Sequence, residues 1–132
     1  MPAIKILEEN DFFIFWEEEG IFCCHYKKPV VDLEIAKMSV ASRLKLSKNQ
    51  PSKLFVDMTD VKSATKEARD YYATEEAMHL AYASAAMTPS VLTKIIGTFF
   101  LSFHKPRKPF KLFSTKEKAF EWLKTMELPE EY

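Results

Sequence analysis

Glycine is scarce in this sequence, and the scarcity excludes several common nucleotide-binding sites. The chain of 132 residues has two glycines, Gly20 and Gly97. Phosphate-binding loops and dinucleotide-binding motifs need several closely spaced glycines, because the backbone must approach the phosphate groups. We therefore expect neither kind of nucleotide site, and the sequence indicates no cofactor.

An excess of one charge and long apolar runs are also absent. Nineteen basic residues balance nineteen acidic ones, so no overall field attracts nucleic acid, and a nucleic-acid partner is not expected. The apolar runs are much shorter than the roughly 20 residues of a membrane-spanning helix. The N-terminus has no basic start followed by an apolar stretch, as a signal peptide would. These features predict a cytoplasmic protein without a membrane span.

Cysteine is limited to two neighbouring residues, Cys23 and Cys24. Adjacent side chains of a strand point to opposite faces, and a disulfide between neighbours requires a strained turn. We predict two reduced thiols in a reducing compartment. The three histidines, His25, His79 and His104, show no metal-ligand spacing, so no metal site is predicted.

Length and composition indicate one globular domain over residues 1–132. Hydrophobic residues make up 47% of the chain, enough for a single core. Residues 1–11 are interpreted as a lead-in. The aromatic and β-branched runs Phe12–Trp16 and Ile21–Tyr26 predict two strands of a hairpin, joined by a turn over Glu17–Gly20.

Helix and strand signals alternate in the rest of the chain. Asp32 is a good N-cap for a helix that reaches about Ser47, and Leu54–Met58 predicts the next strand. A strand, a helix and a second strand form a right-handed crossover between parallel strands. Thr65 caps a further helix over Lys66–Ala73, which restarts near Thr74.

The last third of the chain continues this alternation. We predict a strand over Tyr82–Met87 and a helix that begins at Thr88-Pro89, a strong start signal. Phe110–Phe113 predicts the final strand, and Ser114 with Glu117 forms a capping box for the final helix. The predicted fold is α/β, in the order β-β-α-β-α-β-α-β-α, with a mixed, mostly parallel five-stranded sheet.

This element order resembles the STAS domain of the anti-sigma-factor antagonists, the SpoIIAA-like fold, over nearly the whole chain. At residue level the resemblance rests on Leu54-Phe55-Val56-Asp57, Val61 and the helix entered near Thr65. Lys66-Glu67-Ala68-Arg69, and Phe110–Phe113 followed by Ala119 and Trp122-Leu123, are similar to small uncharacterised bacterial proteins of this group. The resemblance implies a regulatory or protein-interaction module, and it implies no enzymatic activity.

The turn from Asp57 to Arg69 is the candidate functional site. Ligands and partners of open α/β sheets are bound at the carboxyl ends of the strands, and this turn directly follows a predicted buried strand. The candidate binding residues are Asp57, Thr59, Asp60, Thr65, Lys66 and Arg69.

Two of these candidates have alternative interpretations. Asp57 with Asp60 is either a phosphoacceptor with a metal-binding partner or a solvated turn in which Asp57 accepts backbone N–H bonds and Asp60 starts a β-turn. The resemblance places the regulatory phosphoacceptor of STAS antagonists at Thr65, Lys66 and Glu67, of which Thr65 alone carries a hydroxyl. A plain N-cap also explains Thr65.

The segment 99–111 mixes aromatic rings with cations. Such a mixture binds single-stranded nucleic acid or an anionic membrane, or it is a core-facing helix followed by a solvated loop. The neutral net charge favours the second interpretation.

Three functional hypotheses follow. The first is a non-catalytic module that presents the Asp57–Arg69 turn to a protein partner or in a homodimer. The second is a carrier or sensor of a small lipophilic or nucleotide ligand, with Phe99, Phe100 and Phe103 lining an apolar pocket. The third is an enzyme in which Asp57, His79 or His104 converge in a cleft.

Overall fold

The strands form one large mixed sheet and one short second sheet. The computed structural model describes residues 4–88 and 108–127. Its strands are β1 (Ile4–Glu9), β2 (Phe13–Glu18), β3 (Ile21–Tyr26), β4 (Val30–Val31), β5 (Ser52–Asp57), β6 (Ser63–Ala64), β7 (Ala81–Met87) and β8 (Phe110–Phe113). Its helices are α1 (Leu33–Leu46), α2 (Lys66–Tyr72), α3 (Glu75–Met78) and α4 (Lys116–Lys124).

The six strands of the main sheet lie in the order β1-β2-β3-β5-β7-β8. β1, β2 and β3 pair antiparallel, whereas β3, β5, β7 and β8 are all parallel. β3 and β5, which α1 joins along the chain, are therefore parallel neighbours, as predicted. His25, Asp57, Met87 and Phe113 stand in register near the carboxyl ends of the four parallel strands.

The predicted count of five strands is wrong, because residues 1–11 were interpreted as a lead-in. Ile4–Glu9 forms the sixth strand and lies at one edge of the described sheet. Its signal in the sequence is weak, since the strand is irregular between Ile6 and Glu8 and its apolar side chains Ile4 and Ile6 are each 55% exposed. Asn10 holds the following turn by accepting the N–H groups of Phe12 and Phe13.

Side-chain caps start the helices at positions that are mostly those predicted. Asp32, Thr65 and Thr74 are the N-caps of α1, α2 and α3, and each accepts a hydrogen bond from a backbone N–H of its helix. The capping box at Ser114 is wrong by one residue. Thr115 is the N-cap of α4, with its side chain accepting from the N–H of Lys118. The helix predicted from Pro89, including Phe99, Phe100, Phe103 and His104, lies outside the described residues.

The two faces of the sheet belong to two separate hydrophobic clusters. On one face Phe13, Phe15 and Tyr26 pack with Ile35 and Ala36 of α1. On the other face Phe55 meets Phe120 of α4, with ring centroids 5.1 Å apart and an edge-on geometry.

The neighbouring cysteines follow this division. Cys24 belongs to the cluster beneath α1, and Cys23 belongs to the cluster beneath α4. Both are buried free thiols, as the strand alternation predicts.

Candidate functional site

A cavity of about 310 Å³ lies on the α1 face of the sheet. One wall is aromatic, formed by Phe15, Phe22 and Phe110, and the floor along β7 consists of the small residues Ala81, Ser84 and Ala86. Because β7 places short side chains beneath the helices, space remains between them and the sheet. The volume is at the lower end of the roughly 300–1,000 Å³ that is typical of small-molecule sites.

A cluster of three hydroxyl groups, from Tyr26, Ser39 and Tyr72, lies in the lining of this cavity. The phenol oxygens of Tyr26 and Tyr72 are 2.6 Å apart, and each lies 3.1 Å from the Ser39 hydroxyl oxygen. Ser39 in turn donates to the carbonyl of Ala36 at 2.8 Å. Burial raises the pKa of Tyr72 to about 12 and also raises the pKa of Tyr26. Both phenols therefore stay neutral at physiological pH.

The two cations at the cavity bind backbone carbonyls at the end of α3. The guanidinium of Arg43 donates to the carbonyls of Ala77 and His79, both at 2.8 Å. The Lys108 ammonium donates to the carbonyl of Met78 at 2.7 Å. Both side chains therefore satisfy the carbonyl groups that a helix leaves without an intrahelical partner at its C-terminus.

The Asp57–Arg69 turn begins at the carboxyl edge of β5, and Met58 is its one residue that lines the cavity. None of the six predicted site residues lines the cavity. The Asp57 carboxylate accepts the backbone N–H of Thr59 at 2.9 Å and also binds the Thr59 hydroxyl. This is the solvated turn geometry that the sequence offered as one alternative for Asp57.

Backbone hydrogen bonds fix the rest of this turn. The N–H groups of Lys62 and Ser63 both donate to the carbonyl of Pro29, and β6 pairs with β4. Val61 of this loop is buried, with 1% of its surface exposed, and holds the loop against the core. The loop after β5 is thus tied to the loop after β3.

His25 is the site residue that the sequence reasoning missed. Its Nδ1 lies 3.1 Å from Oδ2 of Asp57, and its Nε2 lies 2.9 Å from Oδ2 of Asp60. His25 of β3 therefore contacts both aspartates, Asp57 at the end of β5 and Asp60 in the turn that follows. The signal was indirect: His25 and Asp57 both stand near the end of a strand, and they face each other only because β3 and β5 are neighbours in register.

Thr65, Lys66 and Arg69 belong to α2. The Thr65 hydroxyl accepts the N–H of Ala68, and its backbone N–H donates to the carbonyl of Val31. Lys66 forms an exposed ion pair with Asp70 one turn later, at 2.8 Å. Arg69 is half-buried in the same helix. These residues follow the acidic turn along the chain.

The residues named for an enzyme do not meet within the described ranges. His79 follows α3 and precedes β7, so it lies near the amino ends of the parallel strands, whereas Asp57 ends β5 at their carboxyl edge. Residues 4–88 and 108–127 contain no group of three or more His, Cys, Asp or Glu side chains arranged to hold a metal ion. Among the helices of these same ranges, none has the length and apolar character to span a membrane.

Comparisons with known proteins agree with this architecture. Residues 15–127 match the model of a domain of unknown function, DUF7793, and the chain belongs to that family. The fold is similar to that of an uncharacterised DUF3478 protein from Shewanella loihica PV-4 with a SpoIIAA-like fold. The TM-score is 0.54 at 17% sequence identity, covering 92% of this chain and 93% of that one. The likeness shows the fold alone, and no curated protein matches the chain.

Proposed function

We propose that this chain is a non-catalytic regulatory module that senses a small apolar molecule bound between α1 and the sheet. The observation that carries the proposal is the cavity of about 310 Å³, lined mainly by apolar side chains. An apolar cavity of roughly 150 Å³ accepts benzene. The volume here is therefore suited to a molecule of about two fused rings.

The chemistry of the cavity wall supports binding rather than catalysis. Burial raises the pKa values of Cys24 and of both phenols, so the thiol is not a reactive thiolate and the phenols are not bases. The nearby cations, Arg43 and Lys108, already donate to carbonyl groups. A ligand is thus held mainly by the removal of apolar surface from water.

Met58 connects the cavity to the acidic turn. Its side chain lines the cavity and is 4% exposed, while its neighbours Asp57 and Thr59 form the hydrogen-bonded turn. Its backbone N–H donates to the carbonyl of Met87 at the end of β7. A ligand that changes the packing of Met58 therefore also affects the adjacent residues of the turn. This coupling makes the module a sensor and not only a carrier.

The turn itself is the candidate surface for a protein partner. Its polar groups remain accessible, since the side chains of Asp60 and Lys66 are 57% and 74% exposed. Bonds from His25 and Pro29 already order the turn. A surface that is ordered before binding loses less conformational entropy when a partner binds.

Native mass spectrometry of freshly purified protein and titration with 2-methylnaphthalene test the ligand proposal. At roughly 0.5 kcal/mol per heavy atom, a molecule of about 11 heavy atoms binds with a Kd on the order of 100 µM. Ser84→Leu places a larger side chain in the cavity and should abolish binding without unfolding the protein. The matched control is Ser63→Leu on the exposed side of β6, which should bind like the wild type. Absence of both a co-purified mass and naphthalene binding would overturn the proposal.

A further inference from the structure

One row of side chains crosses the sheet in register beneath the cavity. It runs from β3 to β8 and consists of Phe22, Leu54, Ser84 and Phe110, all of which line the cavity. Neighbouring strands lie about 4.8 Å apart, so the two phenylalanines stand roughly 14 Å apart on the sheet. Because Ser84 is short, the row is lowest between its two aromatic ends. A molecule of about two fused rings in this space therefore lies between two phenyl rings.

Contacts with neighbouring rings fix the aromatic side chains around this space. The ring of Phe22 packs on that of Phe15, with centroids 5.2 Å apart and planes inclined by 53°. The phenol oxygens of Tyr26 and Tyr72 lie 2.6 Å apart, so these two rings are joined through their hydroxyl groups. Phe15, Phe22 and Tyr26 are all buried. Rings that are fixed before a ligand binds lose little conformational entropy on binding.

Such walls interact differently with an aromatic and with a saturated ring. The faces of a phenyl or phenol ring are electron-rich and its edges electron-poor, so a second aromatic ring gains energy in a tilted or offset arrangement. Met58 and Met78 also line the cavity, and the sulfur of methionine interacts favourably with aromatic rings. A saturated ring of the same size gains only dispersion and the removal of its surface from water.

We infer that the cavity selects a flat aromatic molecule of about two fused rings over a saturated molecule with the same carbon skeleton. This inference rests on the proposed function of the cavity and specifies the class of its ligand. The ligand lies over Leu54 and Ser84, with Phe22 at one end and Phe110 at the other. Flexible aliphatic ligands are disfavoured, because they lack the ring contacts that the walls offer.

1-Methylnaphthalene and its saturated counterpart, 1-methyldecalin, test this selection. Each is supplied as vapour at the same fraction of its saturation pressure, so that their different hydrophobicity cancels in the comparison. Bound fractions are measured from the NMR shifts of the protein amides, and on this scale 1-methylnaphthalene should bind about 3- to 10-fold more tightly. Equal or weaker binding of 1-methylnaphthalene overturns the inference and leaves the proposed function standing. Failure of both to bind overturns the proposed function itself.

Two variants assign the preference to the rings at the ends of the row. Phe22→Leu and Phe110→Leu each replace a ring with an aliphatic side chain. Each should reduce the preference for 1-methylnaphthalene by about twofold or more, while 1-methyldecalin binds as before. The matched control is Phe113→Leu, because Phe113 packs in the cluster on the opposite face of the sheet and does not line the cavity. This control should keep the full preference.

A merely structural role of the two rings would lower the affinity for both hydrocarbons together, and that result contradicts the inference. An unchanged preference in both variants contradicts it as well. Phe110 is only half-buried, so Phe110→Leu decides the question if Phe22→Leu does not fold.

Discussion

His25 lies between two aspartates of unequal burial, and this arrangement predicts an unequal energetic coupling. The side chains of His25 and Asp57 are 24% and 20% exposed, whereas that of Asp60 is 57% exposed. A hydrogen-bonded contact with a charged, half-buried group contributes about 1 kcal/mol or slightly more, and an exposed ion pair contributes a few tenths. We therefore expect His25→Ala to lower the free energy of unfolding by about 1–1.5 kcal/mol. For a domain of this size the midpoint of thermal unfolding should fall by about 3–6 °C.

Double-mutant cycles in urea give the two couplings separately. We expect about 1 kcal/mol between His25 and Asp57, measured with His25→Ala and Asp57→Asn. The coupling between His25 and Asp60, measured with Asp60→Asn, should stay below about 0.5 kcal/mol. The pair Lys66 and Asp70 is the matched control, because it is exposed on both sides and should couple by about 0.3 kcal/mol.

Hydrogen exchange locates the effect in the structure. Loss of the His25 ring should speed the exchange of the Thr59 amide, which donates to Asp57, with little change at Ala68 in α2. A coupling to Asp60 as large as the coupling to Asp57 would refute the argument from burial. If neither aspartate couples to His25, the turn is held by its backbone contacts alone.

Three other predictions concern stability. Lys48 is exposed with φ of 55°, directly after the C-cap of α1, and Lys48→Gly should raise the free energy of unfolding by about 0.5–1 kcal/mol in urea denaturation. Phe55 is 1% exposed and packs on Phe120, so Phe55→Ala should cost about 3–5 kcal/mol by the same assay. Burial acts to raise the pKa of Glu18, but hydrogen bonds from Lys116 and Trp16 outweigh it and leave the pKa below its ordinary 4.5. The wild type should thus exceed Glu18→Gln in free energy of unfolding by the largest amount above about pH 4.5, and this difference should shrink as the pH falls through the lowered pKa. A difference that grows in acid contradicts this sign.

The alternation of helices and strands was predictable because it depends on local signals. Asp32, Thr65 and Thr74 cap helices in the sequence and in the structure, since an N-cap needs only a side-chain acceptor next to a helical segment. The cap predicted at Ser114 was wrong by one residue because the local signal fits Thr115 equally well. Two adjacent hydroxyl residues are equivalent in the sequence, and the end of β8 decides which one takes the extended backbone of a cap.

Strand β1 and the His25 contacts were not predictable, because both depend on pairing between distant segments. β1 is a strand through its ladder with β2, and its charged residues Lys5 and Glu9 hide the pattern. His25 and Asp57 are separated by 32 positions in sequence, and their contact exists only in the register of β3 with β5. A reader of the sequence who placed these two strands side by side would find the pair near the carboxyl edge, but the register itself has no local signal.

The cavity was predictable from the sequence only in part. The run of small residues in Ala81–Met87 is visible in the sequence, and the strand predicted over Tyr82–Met87 lies within β7. Short side chains on a strand indicate either that another segment packs closely against the strand or that a cavity remains above it. Which of the two holds depends on where Ser39 and Arg43 of α1 stand, and the contacts of Arg43 with the end of α3 fix that position. Those contacts join α1 to a four-residue helix more than 30 positions away, so the void between them is a property of the assembled layers and not of any one segment.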